Sequence, residues 1–268
     1  MLRQILLPVV VCAGLVFAGA PARAQGDQAA RAASAQAFDR ADRESRGLLG
    51  TFRCARMVGD ARQRGLFGPI DSLGHRGGCS VVNGQFVGVF LDADSQFVRA
   101  TRFAAVDLAM HRRRTTPLDT AAMLGLARAE EAAQLKGFAV YEKAERPYTP
   151  MAFRFDGDSV EVWLVPISDL TGDPFTVGGE HGYIFSPDGR TLAREVDSFA
   201  NFRPVEVPSS GVIRIASREL LVPTLTELAL ANSLNDMGRP VSIDMQWQSA
   251  TLQGRGPAAM WVFVGRAP

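Results

Sequence analysis

Histidine, cysteine and adjoining acidic residues are the side chains of this 268-residue sequence whose types and spacing could carry out chemistry. His181 directly follows Glu180, and a carboxylate beside an imidazole could act as acid and base in a site completed by distant residues. Adjacent side chains on a strand point to opposite faces, however, which favours His181 as a polar residue at the start of a Gly-rich strand. Glu180 and His181 are therefore the catalytic candidates of an alternative interpretation, a hydrolase.

The cysteines predict a disulfide bond. Cys12 belongs to the first 24 residues, which leaves Cys54 and Cys79 as an even pair. In an oxidising compartment such a pair most simply forms one bond, which would close a loop of about 26 residues and contribute on the order of 3 kcal/mol. The alternative is a metal site made of Cys54, His75 and Cys79, which still needs a fourth ligand and lacks paired Cys-x-x-Cys spacing. A third interpretation, a nucleophilic Cys79 assisted by His75, requires that the cysteines stay reduced.

Motifs of known chemistry are missing from the sequence. It contains no Gly-x-Ser-x-Gly, no Ser-x-x-Lys, no Walker loop and no His-Glu-x-x-His. The third histidine, His111, precedes three arginines, a cluster that is usually a solvated turn and alternatively binds an anion. Neither a cofactor nor a metal is therefore expected, and the sequence leaves open whether the protein is an enzyme.

The first 24 residues have the architecture of a secretory signal peptide. Arg3 provides the positive start, an apolar stretch follows, and Ala22-Arg23-Ala24 is a small-x-small cleavage pattern before Gln25. The apolar stretch is too short for a comfortable membrane span. Cleavage predicts a periplasmic protein without a stable membrane span. It also removes two arginines and no acid, which takes the formal net charge from +1 to −1 and argues against nucleic-acid binding.

The elements that would position these residues follow from composition and turn signals. Residues 25–35 are predicted to be a flexible mature N-terminus, followed by a helix over residues 36–46 that Gly47 and Gly50 end. Residues 59–84 contain many glycines and are predicted to be a loop region. A hairpin of strands is predicted over residues 85–91 and 97–105, and then a helix that begins within residues 116–119, runs to about Leu135 and ends at Gly137.

Two Asp-Gly turns organise the second half of the chain. Asp156-Gly157 and Asp188-Gly189 each separate two strand-like segments, so four strands are expected to be antiparallel neighbours. Further strands are predicted over residues 212–217, 241–247 and 259–265, with a helix over residues 223–235. Trp163, Trp247 and Trp261 lie in strand-like segments and are expected to pack in the core.

These elements predict an α+β fold, an antiparallel sheet of hairpins with two or three helices packed on one face. One folded domain is expected over residues 36–268, with a possible sub-boundary near residues 80–85.

Three segments carry a resemblance to a class of proteins. They are Glu161-Val-Trp-Leu-Val-Pro-Ile167, Val177-Gly-Gly-Glu-His-Gly-Tyr-Ile184 with the following Ser186-Pro-Asp-Gly-Arg-Thr-Leu192, and Pro223-Thr-Leu-Thr-Glu227. Together they resemble exported bacterial proteins of unknown function that have an α+β domain. Residues 119–196 are also similar in layout to PepSY-type modules, which are exported modules often associated with proteases. Neither resemblance implies a characterised activity.

The leading interpretation of the function is a non-enzymatic binding protein of the cell envelope, whose partner is an envelope protein or a small ligand. It predicts scattered histidines and an exposed apolar patch or sheet edge. The alternative envelope hydrolase requires His181 and another titratable residue, for example His75 or His111, to converge in one pocket. The metal-binding alternative requires Cys54, His75 and Cys79 to meet with their sulfurs unbonded.

Overall fold

A computed structural model describes residues 20–64, 76–82, 85–93, 100–107, 112–113, 119–141, 148–155, 159–166, 175–197, 203–219, 222–255 and 258–265. Within these ranges the chain has three helices and mostly antiparallel sheets, so the predicted α+β fold is confirmed. The helices are α1 (Ala20–Gln63), α2 (Thr120–Tyr141) and α3 (Leu225–Asp236). The strands are β1 (Arg76–Val82), β2 (Gln85–Ala93), β3 (Ala100–Asp107), β4 (Arg112–Arg113), β5 (Tyr148–Phe155), β6 (Ser159–Pro166), β7 (Phe175–Val177), β8 (His181–Phe185), β9 (Leu192–Asp197), β10 (Arg203–Val205), β11 (Ile213–Ala216), β12 (Val241–Asp244), β13 (Gln248–Gln253) and β14 (Met260–Gly265).

Helix α1 is much longer than the sequence predicts. It runs through Gly47 and Gly50, so the prediction that these glycines end the helix was wrong. A glycine costs a helix only about 1 kcal/mol. Leu48 and Leu49, which lie between the two glycines, are buried in the core, and this packing outweighs the cost. The helix also includes residues 25–35, whose flexibility in the mature chain stays a prediction.

The first sheet has the order β1-β2-β3-β4. Its β2–β3 pair confirms the predicted hairpin. Strand β1 lies in the segment predicted to be a loop, and that prediction was wrong over residues 76–82. Because Val82 is paired with Gln85, the possible sub-boundary near residues 80–85 falls within an antiparallel hairpin.

The second sheet has the order β5-β6-β8-β9 and confirms the four antiparallel neighbours expected from the Asp-Gly turns. Its two faces are both covered. Val160, Val162 and Leu164 of β6 share a core cluster with residues of α2. Alternate residues of the same sheet, including Phe153 and Trp163, share another cluster with residues of α1 and α3. Helices α1 and α3 thus pack on one face, and α2 covers the other.

The Asp188-Gly189 turn also positions this sheet against α2. Gly189 has a φ of 73°, and a side chain there would collide with the backbone of Gly125 in α2. The carbonyl oxygen of Pro187 accepts a hydrogen bond from Arg154 Nη2 at 2.8 Å, and that of Asp188 accepts one from Arg128 Nη1 at 2.9 Å. Helix α2 itself continues through Gly137, where an end was predicted; that boundary was wrong.

The third sheet has the order β11-β12-β13-β14. Strands β11 and β12 are parallel, and α3 connects them, since parallel neighbours need a crossover connection. Strand β13 lies in a segment for which no strand was predicted. Strands β7 and β10 form a separate antiparallel pair. The apolar residues of α3 pack on the third sheet, where Leu228, Ile213, Ile215, Val241 and Ile243 are fully buried.

Candidate functional site

Glu180 lies just before β8, and its side chain contacts Thr226 at the start of α3. Gly178 and Gly179 have φ values of 77° and 73°, a conformation that favours glycine. Glu180 follows them and is 0% exposed. Its Oε2 accepts a hydrogen bond from Thr226 Oγ1 at 2.9 Å, and its Oε1 accepts one from the Thr226 amide at 3.4 Å. The hydroxyl of Thr226 in turn accepts from the Gly178 amide at 2.6 Å.

A second buried carboxylate, Glu227, directly follows Thr226 in α3. Thr224 is the N-cap of this helix and forms a capping box with Glu227. Oε2 of Glu227 accepts from the Thr224 amide at 3.0 Å and from Ser217 Oγ at 2.7 Å. Its Oε1 is bound by Arg203 Nη2 at 2.7 Å. We refer to Glu180, Arg203, Ser217, Thr224, Thr226 and Glu227 as the α3 N-terminal cluster.

The two carboxyl groups of the cluster have different electrostatic surroundings. Burial raises the pKa of Glu180 from 4.5 to about 7, and the negative charge of Glu227 acts in the same direction. The hydrogen bonds from Thr226 lower the pKa of Glu180 but do not offset its burial. Glu227 has a cationic partner, whereas Glu180 is bound by hydroxyl and amide groups. Glu180 is fully buried, and its side chain joins the segment before β8 to the start of α3.

His181 does not share a site with Glu180. It is buried at the start of β8, where its Nε2 lies 2.7 Å from Glu195 Oε1 and its ring contacts the Tyr183 ring. Glu180 instead contacts α3. The adjacent side chains thus contact different elements, as expected for neighbours at a strand start. His75 and His111, the predicted partners of a catalytic His181, lie outside the described residues.

The cysteine neighbourhood is described in part. Cys54 is buried on α1. Cys79 lies in β1, and this strand contacts α1, but its side chain lies outside what the structure describes. The Cys54–Cys79 disulfide therefore stays a prediction. His75, the third member of the metal alternative, lies outside the described residues, within which no three histidine, cysteine or acidic side chains are placed to hold a metal.

Sequence reasoning missed another buried carboxyl group, Glu161 of β6. It is 0% exposed and accepts a hydrogen bond from Trp163 Nε1 at 3.1 Å. Burial, and then the nearby Glu44, raise its pKa from 4.5 to about 7. Arg40 Nη2 lies 4.0 Å from its Oε1 and opposes this rise. The signal in the sequence is one charged residue inside the apolar run Val160 to Val165.

Strand β14 exposes apolar side chains at the edge of the third sheet. On its inner face, Trp261 and Phe263 make edge-to-face contacts with Phe38 of α1, at centroid distances of 5.3 and 4.8 Å. Trp261 Nε1 also donates to Asp42 Oδ1 at 2.9 Å. These contacts fix the strand on α1. Its alternate residues Met260, Val262 and Val264 point to the other side, which we call the outer face of β14.

The outer face of β14 is an apolar surface beside polar neighbours. Met260 is 70% exposed and Val264 is 59% exposed. Across the pair, β13 places the polar residues Gln253, Thr251 and Ser249 opposite the outer face, so the apolar surface is confined to the edge strand.

Trp247 is a further exposed apolar residue at the third sheet, outside strand β14. It precedes Gln248, which pairs with Gly265 at the end of β14, and it is 59% exposed. The prediction that Trp247 packs in the core was therefore wrong. The predicted core role holds for Trp163, which is buried, and Trp261 is partly buried against Phe38. Trp247 lies in the short connection between β12 and β13, which the prediction placed inside one strand.

The comparisons with known proteins leave these sites to be interpreted on their geometry. No protein-family model, curated protein or solved structure matches the chain. None of the helices in the described ranges is long and apolar enough to cross a membrane.

Proposed function

We propose that this chain is a non-enzymatic binding protein of the bacterial cell envelope that holds a partner protein along strand β14. The observation that carries the proposal is the exposed apolar edge of the third sheet. The export signal over residues 1–24 and the near-neutral charge after its removal support a periplasmic location. The binding interpretation of the sequence predicts an exposed apolar patch or a sheet edge, and β14 is an edge strand with exposed apolar side chains.

The backbone of β14 specifies the form of the partner. Strand β14 is the last strand in its sheet order, so within the described part of the chain no strand pairs with its outer edge. The amide and carbonyl groups along such an edge are complemented by another extended strand. The pairing of β14 with β13 is regular from Met260 to Gly265, and the contacts with Phe38 hold the strand in place. The edge is therefore formed before the partner arrives.

The side chains of β14 specify the chemistry of the partner. Residues 260–265 contain no charged residue and no proline. Edge strands usually carry one or the other, which prevents unwanted pairing with another chain. A partner strand that offers alternating apolar side chains would cover Val262 and Val264, whereas a charged strand would lose hydration without gaining an ion pair. We infer that the partner contributes an extended, apolar segment of an envelope protein.

A photocrosslinker on the outer face of β14 is expected to capture this partner in living cells. With p-benzoylphenylalanine in place of Val264, one discrete crosslinked protein should form and be identified by mass spectrometry. The double variant V262K/V264K should weaken binding of that purified partner at least about tenfold, because two charges would be buried without counterions. Binding would be measured by titration calorimetry.

Ala216 of β11 provides the matched control, since it is exposed on the opposite edge strand of the same sheet. A crosslinker at this position should give no adduct, and A216K should bind the partner as the unmodified chain does. Equal crosslinking from positions 216 and 264 would contradict the proposal. Crosslinks that join only two copies of the chain would also contradict it, because they would assign β14 to self-association.

The export signal and the disulfide predict the mass of the mature chain. Protein purified from the periplasm should begin at Gln25, and alkylation should modify Cys54 and Cys79 only after reduction. Intact-mass spectrometry before and after reduction measures both. Alkylation of the native protein would refute the disulfide and restore the metal alternative of Cys54, His75 and Cys79. A retained N-terminus would refute cleavage.

We also propose that the chain is related to the exported bacterial proteins that its motifs resemble. Two of the segments that carry the resemblance meet in the α3 N-terminal cluster, where Glu180 contacts Thr226. Their contact gives the Gly-Gly-Glu segment and the Pro-Thr-x-x-Glu helix start one shared structural role.

A further inference from the structure

An apolar cleft of about 80 Å³ lies between α1, the open end of the β5–β6 hairpin and α3. Leu48 of α1, Met151 of β5 and Leu230 of α3 are among the buried residues that line it. Ala229, also of α3, is a small residue at the same surface, and its side chain leaves the space that a larger residue would fill. The cleft lies within the core cluster that joins α1 and α3 to the second sheet.

The residues that line the cleft carry no charge. Its polar groups are the hydroxyls of four residues, of which Thr149, Thr176 and Ser233 are partly exposed. The fourth, Thr226, donates to Glu180 and accepts from the Gly178 amide, so its hydroxyl is already engaged within the protein. A charged group that entered the cleft would lose its hydration without meeting a counterion. The cleft therefore selects an apolar group attached to an uncharged polar one.

We propose that this cleft is a binding site for the hydrocarbon chain of a neutral single-chain amphiphile. The aliphatic lining fits alkyl groups, and the small volume admits the end of one chain and no folded segment. The partly exposed hydroxyls can hydrogen-bond a head group such as an alcohol or an ester. This site is separate from the outer face of β14 and does not depend on the partner protein.

Direct titration with alkyl amphiphiles tests the site. The mature chain is titrated by calorimetry with 1-decanol, decanoate or decyltrimethylammonium. Decanol should bind with a Kd at least about tenfold lower than that of either charged amphiphile. Absence of decanol binding, or equal affinity for decanoate and decanol, would overturn the proposal.

Variants locate the bound decanol within the molecule. Ala229→Leu fills the cleft and should weaken decanol binding at least about tenfold, whereas Ala55→Leu, at an exposed position of α1, should leave it unchanged. Because Ala229→Leu could disturb folding, Ser233→Leu narrows the cleft from a partly exposed position and should weaken decanol binding on a folded protein. V262K/V264K should bind decanol as the unmodified chain does. Unchanged binding in Ser233→Leu, or loss of binding in V262K/V264K, would overturn the assignment.

Discussion

Replacing Glu227 with alanine is expected to lower the free energy of unfolding by about 3–5 kcal/mol, the usual effect of removing one partner from a buried ion pair. The substitution leaves the Arg203 guanidinium, whose side chain is 16% exposed, without the carboxylate that it contacts at 2.7 Å. It also removes the acceptor of the Ser217 hydroxyl and of the Thr224 amide at the start of α3. Urea denaturation followed by circular dichroism measures the change.

Two controls separate the charge from the hydrogen bonds. Glu227→Gln keeps an acceptor for the Thr224 amide but removes the charge. Its free energy of unfolding should therefore lie between those of Glu227→Ala and the unmodified chain. Glu206→Ala, at an exposed position next to β10, should change the free energy of unfolding by less than about 0.5 kcal/mol. If Glu227→Ala were no more destabilising than Glu206→Ala, the cluster would have no role in stability.

The stability of the folded chain should fall as the pH rises from about 4.5 to above 7. The pKa of Glu180 is 4.5 in an ordinary setting and about 7 in the folded protein, so the folded state binds more protons than the unfolded state in this window. Stability is therefore greatest below the unfolded pKa and is lost as the carboxyl group ionises in the core. This difference between the two pKa values of Glu180 corresponds to about 3 kcal/mol in the free energy of unfolding.

Glu180→Gln removes this titration and tests its origin. The variant should be more stable than the unmodified chain at pH 8 by about 3 kcal/mol and should lose less stability across the window. Glu161→Gln should remove a similar part of the loss of stability with rising pH, because burial raises the pKa of Glu161 to about 7 as well. Exposed Glu206→Gln is the matched control. Parallel pH profiles of Glu180→Gln and Glu206→Gln, from urea denaturation at each pH, would refute the assignment to Glu180.

Turn chemistry is the part of the fold that could be predicted from the sequence. Asp188-Gly189 separates two strand-like segments, and an Asp-Gly pair supplies its turn residues locally, without help from the rest of the chain. The structure confirms this hairpin as β8 and β9, as it confirms β5 and β6. Asn83-Gly84 is a turn pair of the same kind and lies in the sequence between the paired strands β1 and β2. The same turn rule, applied to this pair, predicts the β1–β2 hairpin.

Helix ends were predicted less well because tertiary packing competes with local preference. Gly47 and Gly50 weaken α1 by about 1 kcal/mol each, but Leu48 and Leu49 are buried against the second sheet, and burial of a leucine contributes about 1.5–3 kcal/mol. Neither the sheet nor its distance from α1 can be read from the residues around the glycines. The parallel pairing of β11 with β12 was missed for the same reason, since it depends on how α3 packs.

The sequence by itself determined the α+β class and the two hairpins at the Asp-Gly turns, because strand-like composition and turn residues act over a few neighbouring positions. Only the tertiary structure decided which side chains meet. Glu180 and His181 are neighbours in the chain, yet they contact α3 and β9 respectively. Arg203 and Glu227 are far apart in the chain and form a buried ion pair. The exposed edge of β14 likewise depends on sheet order, because a strand of apolar residues is an edge or a centre according to its neighbours.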